Sequence, residues 1–217
     1  MQVFKPIISL ILIAAALPLV ARENAETAAT PAGTTPAVTN DALTASVNLV
    51  GGPGLSPTYI AKVDFGTNKF GFAVPEGFRL SNTEGRKMTL VSDDFNSLIN
   101  WQVVGTAPTN SVELDPAEYR ALVLQRHPEG KILSEFSLCA GGQRGPAFEM
   151  QWSGRGGLER MELSVFIITP AGVVEFNLVS SLEKYGTARQ KMNTAMLTLR
   201  WADEHGKLEM PVFSDRY

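Results

Sequence analysis

The chain has 217 residues, 44% of them hydrophobic, and its 19 basic against 22 acidic side chains leave a formal charge of −3. That length suffices for one domain with a real core plus a tail, and so mild an acidic balance argues against nucleic acid or an anionic membrane as partner. The single cysteine, Cys139, rules out an internal disulfide and any cysteine-built zinc or iron–sulfur site.

Residues 1–21 read as an export leader. A short start carrying Lys5 precedes an almost wholly apolar run from Pro6 to Val20, broken by Pro18 just ahead of Ala21. This is the layout of a cleavable secretory signal. The run is shorter than the ~20 residues that span a bilayer. The expectation is therefore a periplasmic or extracellular protein with no stable membrane insertion after cleavage. The alternative is a tether through an uncleaved N-terminal segment. No cysteine lies near Ala21, so lipid anchoring at the cleavage point is excluded.

Residues 22–58 are dominated by Ala, Thr, Pro and small polar residues, with Gly51-Gly52-Pro53-Gly54 near their end. They offer too little apolar surface to offset the entropy of ordering and read as a flexible spacer with a looped entry. A single domain is expected over 59–203, followed by a tail over 204–217.

Within the domain, Phe70 to Val74 reads as a strand closed by the turn signal Pro75-Glu76-Gly77 before Phe78-Arg79-Leu80. Lys87–Ser92 and Ser97–Val104 read as strands, the second with Ile99, Trp101 and Val103 on one face. A helix then starts with Asp115 as cap, Pro116 in the first turn and Glu118 three residues after the cap, and stops at His127-Pro128-Glu129-Gly130. Lys131–Ala140, Ala147–Trp152, Leu158–Thr169 and Val173–Ser180 follow as strands, and their short Gly-rich connections favour antiparallel hairpins. Met161 to Phe166 alternates, which predicts one wet or only partly covered sheet face. A last helix is expected from Leu182 to Trp201, with Leu182, Tyr185, Ala188, Met192, Ala195 and Leu199 as its core stripe. This order argues an α+β fold, an antiparallel β-sheet packed with helices in an α/β/α-type sandwich.

Phe70-Gly71-Phe72-Ala73-Val74-Pro75-Glu76-Gly77-Phe78 and the ending, from Val173–Ser181 through Lys184-Tyr185 into Met192–Trp201, resemble the PsbP-like superfamily. That superfamily includes Mog-type Ran-binding proteins and the bacterial DcrB-like exported proteins. The resemblance spans about Lys69 to Trp201. It implies a non-enzymatic accessory factor that docks onto a larger complex. No metal-ligand set of the family maps onto this sequence, so neither metal nor cofactor is expected.

The residues themselves carry no catalytic motif. His127 stands at a helix end, where a cation suits the helix dipole, and His205 follows two acids in the tail. Neither has metal-ligand spacing to another donor. Asp93-Asp94 and the pair Glu113 and Asp115 read as solvated turn and cap acids, the former at most contributing to a weak calcium site. Cys139, inside an apolar strand-like run, reads as a buried inert thiol.

The candidate partner-contact residues are Arg144, Trp152, Arg155 and Arg160, an aromatic among arginines at two hairpin turns. The expected function is an exported, non-enzymatic binding or accessory module with a protein partner in the cell envelope. The alternatives are a hydrolase-like envelope enzyme with a cleft built from scattered acids, His127 and tyrosines, and a small-ligand carrier with an apolar cavity between sheet and helix.

Overall fold

The computed structural model describes residues 42–51, 57–107, 113–203 and 205–210. The leader, the spacer up to residue 41 and the end of the tail lie outside the described residues.

Strands β1 (Leu43–Val50), β2 (Thr58–Phe65) and β3 (Asn68–Ala73) form an antiparallel meander. A second follows in β4 (Phe78–Glu84), β5 (Lys87–Ser92) and β6 (Ser97–Gly105). Helix α1 (Pro116–Arg126) leads into β7 (Lys131–Ala140), β8 (Gln143–Ser153), a 3-10 turn over Arg155–Gly157, β9 (Glu159–Thr169) and β10 (Gly172–Ser181). Helix α2 (Tyr185–Thr198) and the short β11 (Arg200–Trp201) follow. The described strands make two antiparallel sheets, in the orders β1-β2-β3-β11 and β4-β5-β6-β10-β9-β8-β7. The fold is α+β, as the sequence predicts.

Helices cover both faces of the larger sheet. One face meets the small sheet and α2: Met88, Leu90, Trp101, Leu163 and Phe176 pack in one core with Phe70, Phe72, Met192 and Met196. Phe70 stacks on Trp101 with ring centroids 4.4 Å apart. The other face receives α1, whose Tyr119 and Val123 lie among Phe148, Met150 and Phe166. Asp115 starts α1 as expected, its Oδ1 accepting from the Ala117 N–H at 2.9 Å, with Pro116 in the first turn.

Three glycines shape β8. Gly141 and Gly142 both hold positive φ (56° and 81°), so a two-residue turn joins Ala140 to Gln143, and β8 begins ahead of the Ala147 start that the sequence suggests. Inside the strand, a Cβ added at Gly145 would fall 1.7 Å from the Phe166 carbonyl oxygen. Gly145→Ala is expected to cost about 3 kcal/mol or more in urea unfolding, since backbone must shift; a loss below about 1 kcal/mol would contradict this approach.

Several expectations are corrected. β1 lies inside the stretch read as spacer, paired with β2 from Leu43↔Phe65 to Val50↔Thr58. The last helix is shorter than its apolar stripe: Leu182 sits in the preceding turn and is exposed, while Leu199 to Trp201 leave the helix and Arg200–Trp201 pair with β3. Thr198 marks that end, its hydroxyl donating to the Thr194 carbonyl and accepting from the Ala73 N–H. Cys139 is exposed on β7, which edges the larger sheet; Phe136, Leu138 and Ala140 take the inward phase of the strand. Finally, the second face of β9 is not wet, for Glu162 and Ser164 are buried there.

Candidate functional site

That second face is where α1 delivers its end. The packing of Tyr119 and Val123 directs Arg126 and His127, at the negative end of the helix dipole, toward β9 and β10. Arg126 donates to Glu175 Oε1 at 2.6 Å and stands 3.3 Å from Glu162 Oε1, joining two carboxylates that are 0% and 1% exposed. Gln102 Nε2 donates to the other Glu175 oxygen. Asn177 Nδ2 donates to Glu162 Oε1 at 2.7 Å and to Ser164 Oγ at 3.1 Å. Asn100 and Thr89 extend the row across β10, β6 and β5, through Asn100 Nδ2 to Asn177 Oδ1 and Thr89 Oγ1 to Asn100 Oδ1.

His127 Nε2 lies 3.0 Å from Glu162 Oε2 without the alignment of a hydrogen bond, so that buried oxygen has no hydrogen-bond donor among the described residues. The imidazole stacks on Trp152, with centroids 3.9 Å and planes 11° apart. Removal of two carboxylates from water is costly unless each is paired and hydrogen-bonded. Here Arg126 bridges both acids and so ties the end of α1 to β9 and β10. Two of the tyrosines are shifted by their surroundings. Burial, then Glu118, raises the Tyr119 phenol above its ordinary range, and burial with the Glu149 hydrogen bond raises Tyr185 further.

The four contact candidates fall at the two ends of β8. Trp152 and Arg160 are cross-strand partners, and Arg155 lies in the turn between their strands. Arg144 pairs with Cys139 at the opposite end, ~26 Å away at about 3.3 Å per residue. There it lines a groove with Leu114, Phe136 and Phe148. Trp152 is half-buried against His127, and its buried indole N–H has no acceptor among the described residues. His205 occupies a turn in the tail.

The end that carries Trp152 and Arg160 also carries the β5–β6 turn, whose special side chain no sequence signal marks. Phe95 there has φ 57° and is 69% exposed. A bulky residue in this left-handed region is strained and needs its surroundings to impose the conformation. They do. Ser92 Oγ donates to Asp94 Oδ1 at 2.7 Å and accepts from the Ser97 N–H at 2.9 Å. The Asn96 N–H donates to Asp94 Oδ1, the Phe95 N–H to the Ser92 carbonyl, and the Ser181 N–H to the Asn96 carbonyl. Arg79 lies over the Phe95 ring at 4.9 Å. Asp93 faces Arg79 and Asp94 faces Lys184, each at 3.8 Å, and all four side chains are exposed, as expected of solvated turn acids.

Ser92 first, then the Asn96 amides, hold the Asp94 carboxyl down at about 2 against an ordinary 3.8. A depressed folded-state value means that the loop's hydrogen bonds are fully in place above about pH 4 and are lost as pH falls through 2. Amide exchange at Asn96 and Ser97 is expected to accelerate across that window, and Asp94→Asn to abolish the acid dependence. An NMR midpoint for Asp94 near its ordinary value would contradict the assignment.

Exposed large apolar side chains gather at the same end. Leu98 begins β6, Leu158 follows the 3-10 turn, and Leu182 follows β10. Leu49, Val50 and Tyr59 are exposed at the tip of the β1–β2 hairpin, and the Val74 N–H bonds the Tyr59 carbonyl just before the chain turns into β4. At the other end of the larger sheet, among the described residues, the turns at Gly85-Arg86, Gly141-Gly142 and Pro170-Ala171 present none, though Leu197 of α2 is exposed beside the Gly141 turn, whose N–H bonds the Met196 carbonyl. Among the described residues, no helix is long and apolar enough to cross a membrane.

No family model matches the chain, and no curated protein matches it. Solved structures to which it is similar include cyanobacterial PsbP (CyanoP) from Synechocystis, at 11% identity and a TM-score of 0.47, covering 79% of this chain and 99% of that one. They also include LpqN, described as involved in cell envelope biogenesis of Mycobacterium tuberculosis, at 15% identity and TM-score 0.40, covering 74% and 92%. The Saccharomyces cerevisiae Ran-binding protein Mog1p is similar at 12% identity and TM-score 0.41, covering 58% of this chain and 86% of its own. PsbP and Mog are the groups that the sequence resembles.

Proposed function

We propose that this protein is an exported, non-enzymatic docking module of a bacterial envelope, which binds a protein partner through the end of the larger sheet that carries Phe95. The observation behind this reading is an exposed aromatic fixed in a strained backbone by at least five hydrogen bonds of its turn and neighbours. Interfaces draw most of their energy from a few rigid, preorganised aromatic and arginine anchors. Phe95 supplies the anchor, Leu98, Leu158 and Leu182 the surrounding apolar area, and Arg79 and Arg160 the polar rim. Arg144, at the far end of β8, has no part in this surface. The leader sequence supports export.

The test is in-cell crosslinking of the tagged protein, with mass spectrometry of the captured envelope fraction. One stoichiometric partner is expected with the native chain and with Arg144→Ala, and its loss with Phe95→Ala. Empty capture at healthy expression, or capture unchanged by Phe95→Ala, would overturn the proposal.

A further inference from the structure

The same end of the molecule holds a groove of about 510 Å³ between the β1–β2 hairpin and α2, walled by Pro57, Tyr59, Val74 and Pro75 and bounded by Lys191 and Thr194. The neighbouring cations of α2 are spoken for, Lys184 by Asp94 at 3.8 Å and Arg189 by Glu149 at 2.7 Å. Lys191 is different. Among the described residues no carboxylate pairs with it; its ammonium lies 6.0 Å from the centre of the Phe78 ring, half-buried between this groove and the cleft beside Asp94. Glu76 lines the groove too but is exposed and out of pairing distance. The backbone donors along the floor are already used, Ala73 N–H by Thr198 and Val74 N–H by the Tyr59 carbonyl. An incoming chain finds those two donors already taken, which favours recognition through its side chains over strand addition.

We infer that this groove receives an extended segment of the partner in which an apolar side chain stands beside a carboxylate. The apolar side chain packs between Tyr59 and the two prolines, and the carboxylate meets Lys191, giving a partly buried cation the charge-assisted hydrogen bond it lacks. This rests on the docking role proposed above and adds the chemistry of what docks.

The probe is a phage-displayed library of random peptides panned against the full chain, followed by affinity measurement on the selected peptide. An apolar residue next to Asp or Glu should be enriched. Lys191→Ala should weaken that peptide about tenfold, Lys191→Glu should abolish its selection, and Phe95→Ala should leave it intact. No enrichment, a consensus without an acid, or binding indifferent to Lys191→Glu would each overturn the inference. Leu208 and Met210 pass over Gly71 of β3 near this groove, so a chain ending at Met210 is panned in parallel. Selection seen only with that chain would assign the groove to residues 211–217 and also overturn the inference. Failure of the docking role itself is read separately, as partner capture that survives Phe95→Ala.

Discussion

Arg126→Met is expected to destabilise the fold by about 3–5 kcal/mol in urea unfolding, the cost of breaking a buried ion pair by removing one partner. The figure follows from what is left behind. Glu175 and Glu162, 0% and 1% exposed, would keep their side-chain amide donors but lose the one guanidinium that faces both. Methionine fills similar volume, so the loss reports charge rather than a cavity. Arg126→Lys should fall between, since one ammonium cannot reproduce the fork that reaches two carboxylates. Combining Arg126→Met with Glu162→Gln and Glu175→Gln should recover most of the loss, because no uncompensated charge then remains. A single-variant loss under about 1 kcal/mol, or no recovery in the combination, would mean that the cluster does not clamp α1 to the sheet.

Local chemistry made much of the fold legible, and tertiary placement hid the rest. Asp115-Pro116 specifies where α1 begins because cap and first turn are decided by neighbours in sequence. The strands between glycine turns were similarly readable. In β1, Leu43, Ala45 and Val47 alternate with Thr44 and Ser46, a period-2 signal masked by the small-residue composition around it. Cys139 could have been placed on the outside by the phase of Phe136, Leu138 and Ala140. Glu162 and Ser164 could not have been placed inside, because an alternating strand does not reveal what covers its polar side. The cover is the end of α1, from much earlier in the chain, together with Asn177 on the next strand. Trp152 and Arg160 do meet at one end, while Arg144 lies at the other, since β8 is long enough to separate two turns that the sequence shows close together.

Phe95→Gly is expected to separate stability from function, lowering partner capture by about thirtyfold or more while leaving stability within about 1 kcal/mol of the native chain. The ring buries little, so its removal forfeits little transfer energy, and glycine adopts φ 57° without a Cβ penalty. Relief of ~1–2 kcal/mol of left-handed strain outweighs the entropy that glycine adds to the unfolded chain, roughly 0.5–1 kcal/mol. Loss of the Arg79 contact subtracts about 0.5 kcal/mol at an exposed position. At an interface the balance reverses, because a fully desolvated aromatic anchor is worth about 2 kcal/mol or more, and the free loop must present it already ordered. Phe95→Ala keeps the strain and should lose capture without the offsetting strain relief, which isolates the ring from the backbone. Tyr or Trp at the position should retain most capture. A Phe95→Gly protein that binds its partner normally would make the strain an accident of the turn; one that unfolds more easily would mean that the ring packs in the free protein more than its exposure indicates. The expected pairing, a chain about as stable as before that no longer docks, is the signature of strain kept for function.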